Sequence, residues 1–110
     1  MDADKPLSEQ YRIVAKRWVD ADTAAEMLEQ TKSAVLAKMM SDFGDIPVSK
    51  AEMKVKASEE WSAFIMQMVD ARQKAALLKV QLEYIRMKFS EWQSHEATRR
   101  HEMRLWCGLF

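Results

Sequence analysis

Few residues in this chain have the chemistry of an active site: two histidines, one cysteine and a scatter of acids and bases. His95 and His101 stand six apart, which on a helix turns them to different faces and outside the i, i+4 spacing of helical metal sites. Glu91 and His95 do share that spacing, but one such pair is ordinarily a surface contact. Cys107 has no evident base beside it to favour the thiolate. The chain holds no glycine-rich phosphate loop, paired-cysteine motif, nucleophile elbow or carboxylate cluster on an apolar face. The expectation is therefore a protein that is not an enzyme, with no catalytic residue, no metal and no cofactor.

Two small basic groups are the candidates for phosphate contacts: Lys50, Lys54 and Lys56, then Arg99, Arg100 and Arg104. Each is diluted by acids, Glu52 in the first and Glu96 with Glu102 in the second. Over the whole chain Lys+Arg and Asp+Glu are both 17, so no net field draws it to nucleic acid or to an anionic membrane. Nucleic-acid binding is thus possible without being favoured, a solvated charged surface being the usual use of such groups.

The elements that must carry these residues are helices. The stretch Trp61 to Trp92 contains no Gly or Pro, and steps of three and four residues along it meet only apolar positions: Trp61, Phe64, Met68, Ala71, Ala75, Leu78, Leu82, Ile85, Phe89, Trp92. A spacing averaging 3.5 keeps one stripe facing a partner helix, the coiled-coil seam. A matching seam runs Leu7, Tyr11, Val14, Trp18, Ala21, Ala25, Leu28, Lys32, Val35, Met39, with Lys32 alone polar, able to lay its methylenes along the seam. Phe43 and Gly44 end that first helix, because glycine takes the left-handed conformation that terminates helices.

The connection GDIPVSKAEMKVKAS contains Pro47, which keeps its predecessor out of helical conformation. Ser49 and Glu52 have the spacing of a capping box, and Val48 and Met53 that of a hydrophobic staple. Ser58 before Glu59 and Glu60 is a second N-cap signal. The reading is all-α: a flexible lead over 1–7, then one domain over 8–110, a long antiparallel helical hairpin with helices at about 8–43, 50–56 and 58–105. The second and third helices are either separate or one kinked rod. Folding the chain at the connection sets Trp18 against Ile85, Leu28 against Ala75 and Tyr11 near Trp92, with Ala21 and Ala25 facing Leu82 and Leu78. Small thus lies opposite large.

A second apolar stripe lies opposite the first on helix three: Met66, Val69, Gln73, Ala76, Val80, Tyr84, Met87, with Leu77 beside it. A helix apolar on two sides has to be buried on two sides. Met66, Val69, Ala76, Val80, Tyr84 and Met87 are therefore the self-association candidates. Two hairpins meeting through them would form a dimer and a four-helix bundle. Beyond Trp92 the seam turns polar and then recovers, and the first helix has no residues left to face it. Met103, Trp106, Leu109 and Phe110 are the candidates for docking a protein partner.

A single cysteine fits a reducing compartment, the start MDADKPLSEQ does not read as a signal peptide, and no apolar run approaches the roughly 18 to 20 residues of a membrane span. The expected location is the cytoplasm, with no membrane partner. The stretches VSKAEMKVKASEEW and LEYIRMKFSEWQSHEATRRHEMRL resemble small all-helical proteins of bacteriophages and prophages, a largely uncharacterised group. With residues 11–43 the likeness covers most of the chain. The resemblance implies a phage accessory role in a bacterial host cell, near recombination and replication functions, and transfers no catalytic residue. A secreted helical hairpin of the Trp-X-Gly type is excluded: the turn lacks that tripeptide, and Lys88 follows Tyr84 where an acid is required. Three functions follow as expectations: protein–protein interaction in phage DNA recombination or replication, inhibition of a host enzyme or defence complex, and an accessory role in binding DNA.

Overall fold

The computed structural model describes residues 4–109, with side chains to residue 108. Of the expected lead, residues 1–3 lie outside the described residues, and Leu7 is already helical. Three helices follow: α1, Leu7–Ser41; α2, Val48–Lys56; and α3, Glu59–Leu109. No strand occurs among the described residues. The molecule measures 92 × 23 × 18 Å, the shape of a long helical hairpin.

Each boundary has a local cause. Helix α1 ends through Asp42, and the chain reverses at Gly44, whose φ of 73° is open to glycine at little cost. The Gly44 amide donates to the Ser41 carbonyl at 3.2 Å, capping an otherwise orphaned acceptor. Helix α2 starts one residue before the expected capping box, with Pro47 as its N-cap and no side-chain cap. Ser49 is then inside the first turn, Glu52 pairs with Lys56 at 2.8 Å, and Val48 and Met53 remain 71% and 73% exposed. Neither box nor staple forms, because with Pro47 at the N-cap Ser49 and Glu52 no longer stand at the N-cap and third helical position, nor Val48 and Met53 at the staple positions. At Ser58 the expectation holds. Its hydroxyl accepts the Trp61 amide at 3.3 Å, and α2 and α3 are separate helices on either side of Ala57 and Ser58.

Helices α1 and α3 pack antiparallel along the two predicted seams. Val14, Leu82 and Ile85 form the centre of the core, with Leu7, Tyr11, Ala15, Trp18 and Leu78 packed round it. Side chains such as Val14 and Ile85, 1% and 2% exposed, each contribute about 1.5 to 3 kcal/mol by leaving water. Ala21, Ala25 and Ala75 are also buried, and their small size lets the two backbones approach. At the closed end α2 buries Ala51 and Val55, near the start of α3, where Trp61 is buried and stacks on Phe64 at 5.7 Å.

The register differs in detail from the expected one. Tyr11 accepts a hydrogen bond from Arg86 and lines the same groove as Trp92, while Val14, expected near Phe89, packs with Leu82 and Ile85. Helix α1 therefore sits about one turn nearer the closed end of α3 than the sequence suggests. The cost of that slide falls on the open end. Phe89 and Trp92, placed on the seam by periodicity, are 45% and 54% exposed and stack on each other at 6.0 Å.

Candidate interaction surfaces

The face of α3 turned away from α1 is apolar and uncovered. Met66, Val69, Val80, Tyr84 and Met87 are all more than half exposed, as is Leu77, and Gln73 and Ala76 are exposed with them. Hairpin packing has spent α1 on the opposite side, so these residues share one open stripe, Leu77 bordering a groove with α1 on one flank and Val69, Gln73 and Ala76 one beside Glu29 on the other. The Lys88 ammonium lies 5.5 Å from the centre of the Tyr84 ring, a cation–π contact at the edge of the stripe.

Beyond α1, α3 runs on alone. Every residue from Gln93 to Gly108 is exposed except Glu96, which is half-buried. Met103 and Trp106 are 56% and 65% exposed on this projecting segment, with Leu105 beside them. Leu109 closes the helix, but its side chain, like the whole of Phe110, lies outside the described residues.

The basic groups are not brought together. Lys50, Lys54 and Lys56 belong to α2 at the closed end, while Arg99, Arg100 and Arg104 lie on the projecting end of α3. Some 40 residues of helix separate them, on the order of 60 Å. Lys56 is tied to Glu52, Arg99 lies 3.7 Å from Glu96, and the Lys54 ammonium sits 5.7 Å from the centre of the Phe43 ring. Within one copy they make two small patches rather than one phosphate-tracking surface.

A charge cluster that sequence reading missed lies across the hairpin. The Arg72 guanidinium donates two parallel hydrogen bonds to the Glu29 carboxylate, at 2.9 and 3.0 Å, and a third to Asp22 at 2.7 Å. The Arg72 hydrogen bonds hold the Glu29 carboxyl below its ordinary value, and the two carboxylates push the already basic guanidinium higher. Asp22 and Glu29 stand seven residues apart on α1, the one signal in the sequence that both flank the same seam. All three side chains are partly exposed, so the cluster fixes the alignment of the helices more than it adds stability.

At the open end a groove forms where α1 begins. Leu7, Tyr11, Ile85, Phe89 and Trp92 line it, with Arg86 donating to the Tyr11 hydroxyl at 3.1 Å. Gln10 is buried beside it, its amide donating to the Lys5 carbonyl at 2.7 Å. Among the described residues no group of three or more His, Cys, Asp or Glu could hold a metal ion, and Cys107 is exposed. No helix is long and apolar enough to cross a membrane, again among the described residues. Comparison of the chain with protein-family models, with curated proteins and with solved structures finds no match.

Proposed function

We propose that this chain is a non-enzymatic, homo-oligomeric helical protein that acts by binding another protein, in bacteriophage DNA recombination or replication within the bacterial cytoplasm. The observation that carries the reading is the second apolar face of α3, left open along the hairpin while the first is filled by α1. Apolar surface of that extent is what association hides. The projecting end of α3, with Met103 and Trp106 exposed, supplies a second surface distinct from the first, suited to a different partner. The phage setting is supported by the resemblance of the connection and of the last third of the chain to small phage proteins.

The test is affinity capture of the tagged full chain from infected host cells, followed by reconstitution from purified components. A phage-encoded recombination or replication protein, retained by the wild type and lost with Trp106→Asp, supports the reading. A host enzyme or defence component as the reconstituted partner replaces it with inhibition. A salt-dependent gel shift with no protein partner replaces it with DNA binding, since phosphate contacts weaken as counterions are added.

A further inference from the structure

The exposed stripe of α3 has an order that its composition does not require. From Met66 the steps are three, four and three residues to Ala76, one to Leu77, then three, four and three to Met87. The spacing reads the same from either end. An isologous two-fold contact asks for that property, because residue i must meet j while j meets i. The boundaries obey it too. One turn before Met66 the stripe ends at Ser62, and one turn after Met87 it ends at Glu91, which shares a surface with Met87 and Ser94.

We propose that this face is a self-complementary interface between two copies of the chain, their α3 helices antiparallel about a two-fold axis between Ala76 and Leu77. The proposal rests on the homo-oligomer reading above and fixes its geometry. Ala76 of one copy meets Leu77 of the other, small against large at the point of closest approach. Gln73 meets Val80, Val69 meets Tyr84, and Met66 meets Met87. No charged side chain lies among these eight positions. At the ends Glu91 of one copy faces Ser62 of the other. A parallel pairing would instead set Glu91 against Glu91 on the same line, a juxtaposition of like charges.

The elongated chain has exposed area enough for such a contact. The chain exposes 8917 Å², whereas a compact protein of its 12.8 kDa exposes roughly 6,300 Å². That excess is larger than the ~800 Å² each partner contributes to a standard interface. The antiparallel arrangement also sends the two projecting ends to opposite poles. The two copies of Cys107 are then roughly 90 Å apart at about 1.5 Å per residue.

Light scattering and thiol cross-linking of the full chain test this together. In a Cys107→Ser background, Val69→Cys and Tyr84→Cys are made separately, both at exposed positions where circular dichroism is expected to report unchanged helicity. With a short bis-maleimide, each variant alone gives no cross-linked dimer, and the unfolded, mixed and refolded pair does. The wild type oxidised in dilute solution forms no disulfide within its dimer. Val80→Asp is expected to leave helicity intact and abolish the dimer. Cross-linking within each variant alone, or none in the mixture, overturns the antiparallel geometry while a dimeric mass preserves the homo-oligomer. A dimer unaffected by Val80→Asp places the contact elsewhere and also overturns it. A monomer at high concentration overturns both.

Discussion

Gly44 and Arg72 show how single residues set this fold from opposite directions. Gly44 contributes conformation alone: an added Cβ would meet nothing within 4 Å, so any cost of replacement is the left-handed backbone itself. Gly44→Ala is expected to destabilise the hairpin by about 1 to 2 kcal/mol, read from chemical denaturation with an unchanged m-value. Arg72 contributes through charge. The Glu29 carboxyl is held below its unfolded value by Arg72, so its stabilising effect is complete above the ordinary carboxylate range. The contribution is lost as pH falls through the depressed folded value. Arg72→Met is accordingly expected to flatten the acid side of a plot of melting temperature against pH, and unaltered acid dependence would refute the assignment. Glycine's role was legible in the sequence because termination needs only one residue in context. The arginine's was not, since its partners stand more than 40 residues away and depend on register.

At the scale of elements, the seams obey their periodicity and the details depart from it for physical reasons. Alternating steps of three and four identified the buried faces of both long helices, because burial along a helix is set by angle and angle is set by spacing. They did not determine which turn of α1 faces which turn of α3. Ala21, Ala25, Ala71 and Ala75 present nearly the same small surface one turn apart, so patterning alone tolerates a slide that Tyr11, Arg72 and the packing of Val14 resolve. The capping box failed similarly: Ser49 and Glu52 have the correct types and spacing, but Pro47 reaches the helix start first. The core makes two opposite demands. Leu82→Ala is expected to cost about 2 to 5 kcal/mol by leaving a void. Ala25→Leu, at a site with no exposed surface, is expected to cost about 1 to 3 kcal/mol by forcing the helices apart. Thermal melts that leave either variant at the wild-type midpoint would contradict the packing described.

For the whole molecule, hydrophobic pattern revealed both that α3 has two apolar faces and that only one can be served within the chain. The exposed stripe was thus visible in the sequence as apolar residues in excess of what α1 can cover, and the exposed end as seam positions beyond the reach of α1. The separation of the basic groups was less so, because distance along a rod emerges only once the helices are laid out. The same layout makes the last turns of α3 unlike the rest of the helix. A helix of that length without lateral support is marginal in water, so it opens far more often than the paired portion. Arg99, Arg100 and Arg104 lie within it and are exposed, whereas Arg72 is clamped across the hairpin. Brief trypsin digestion is expected to nick after those three arginines first and leave a resistant fragment extending past Arg86. Any partner that grips the overhang will slow that first cut, so protease protection offers a direct readout of occupancy.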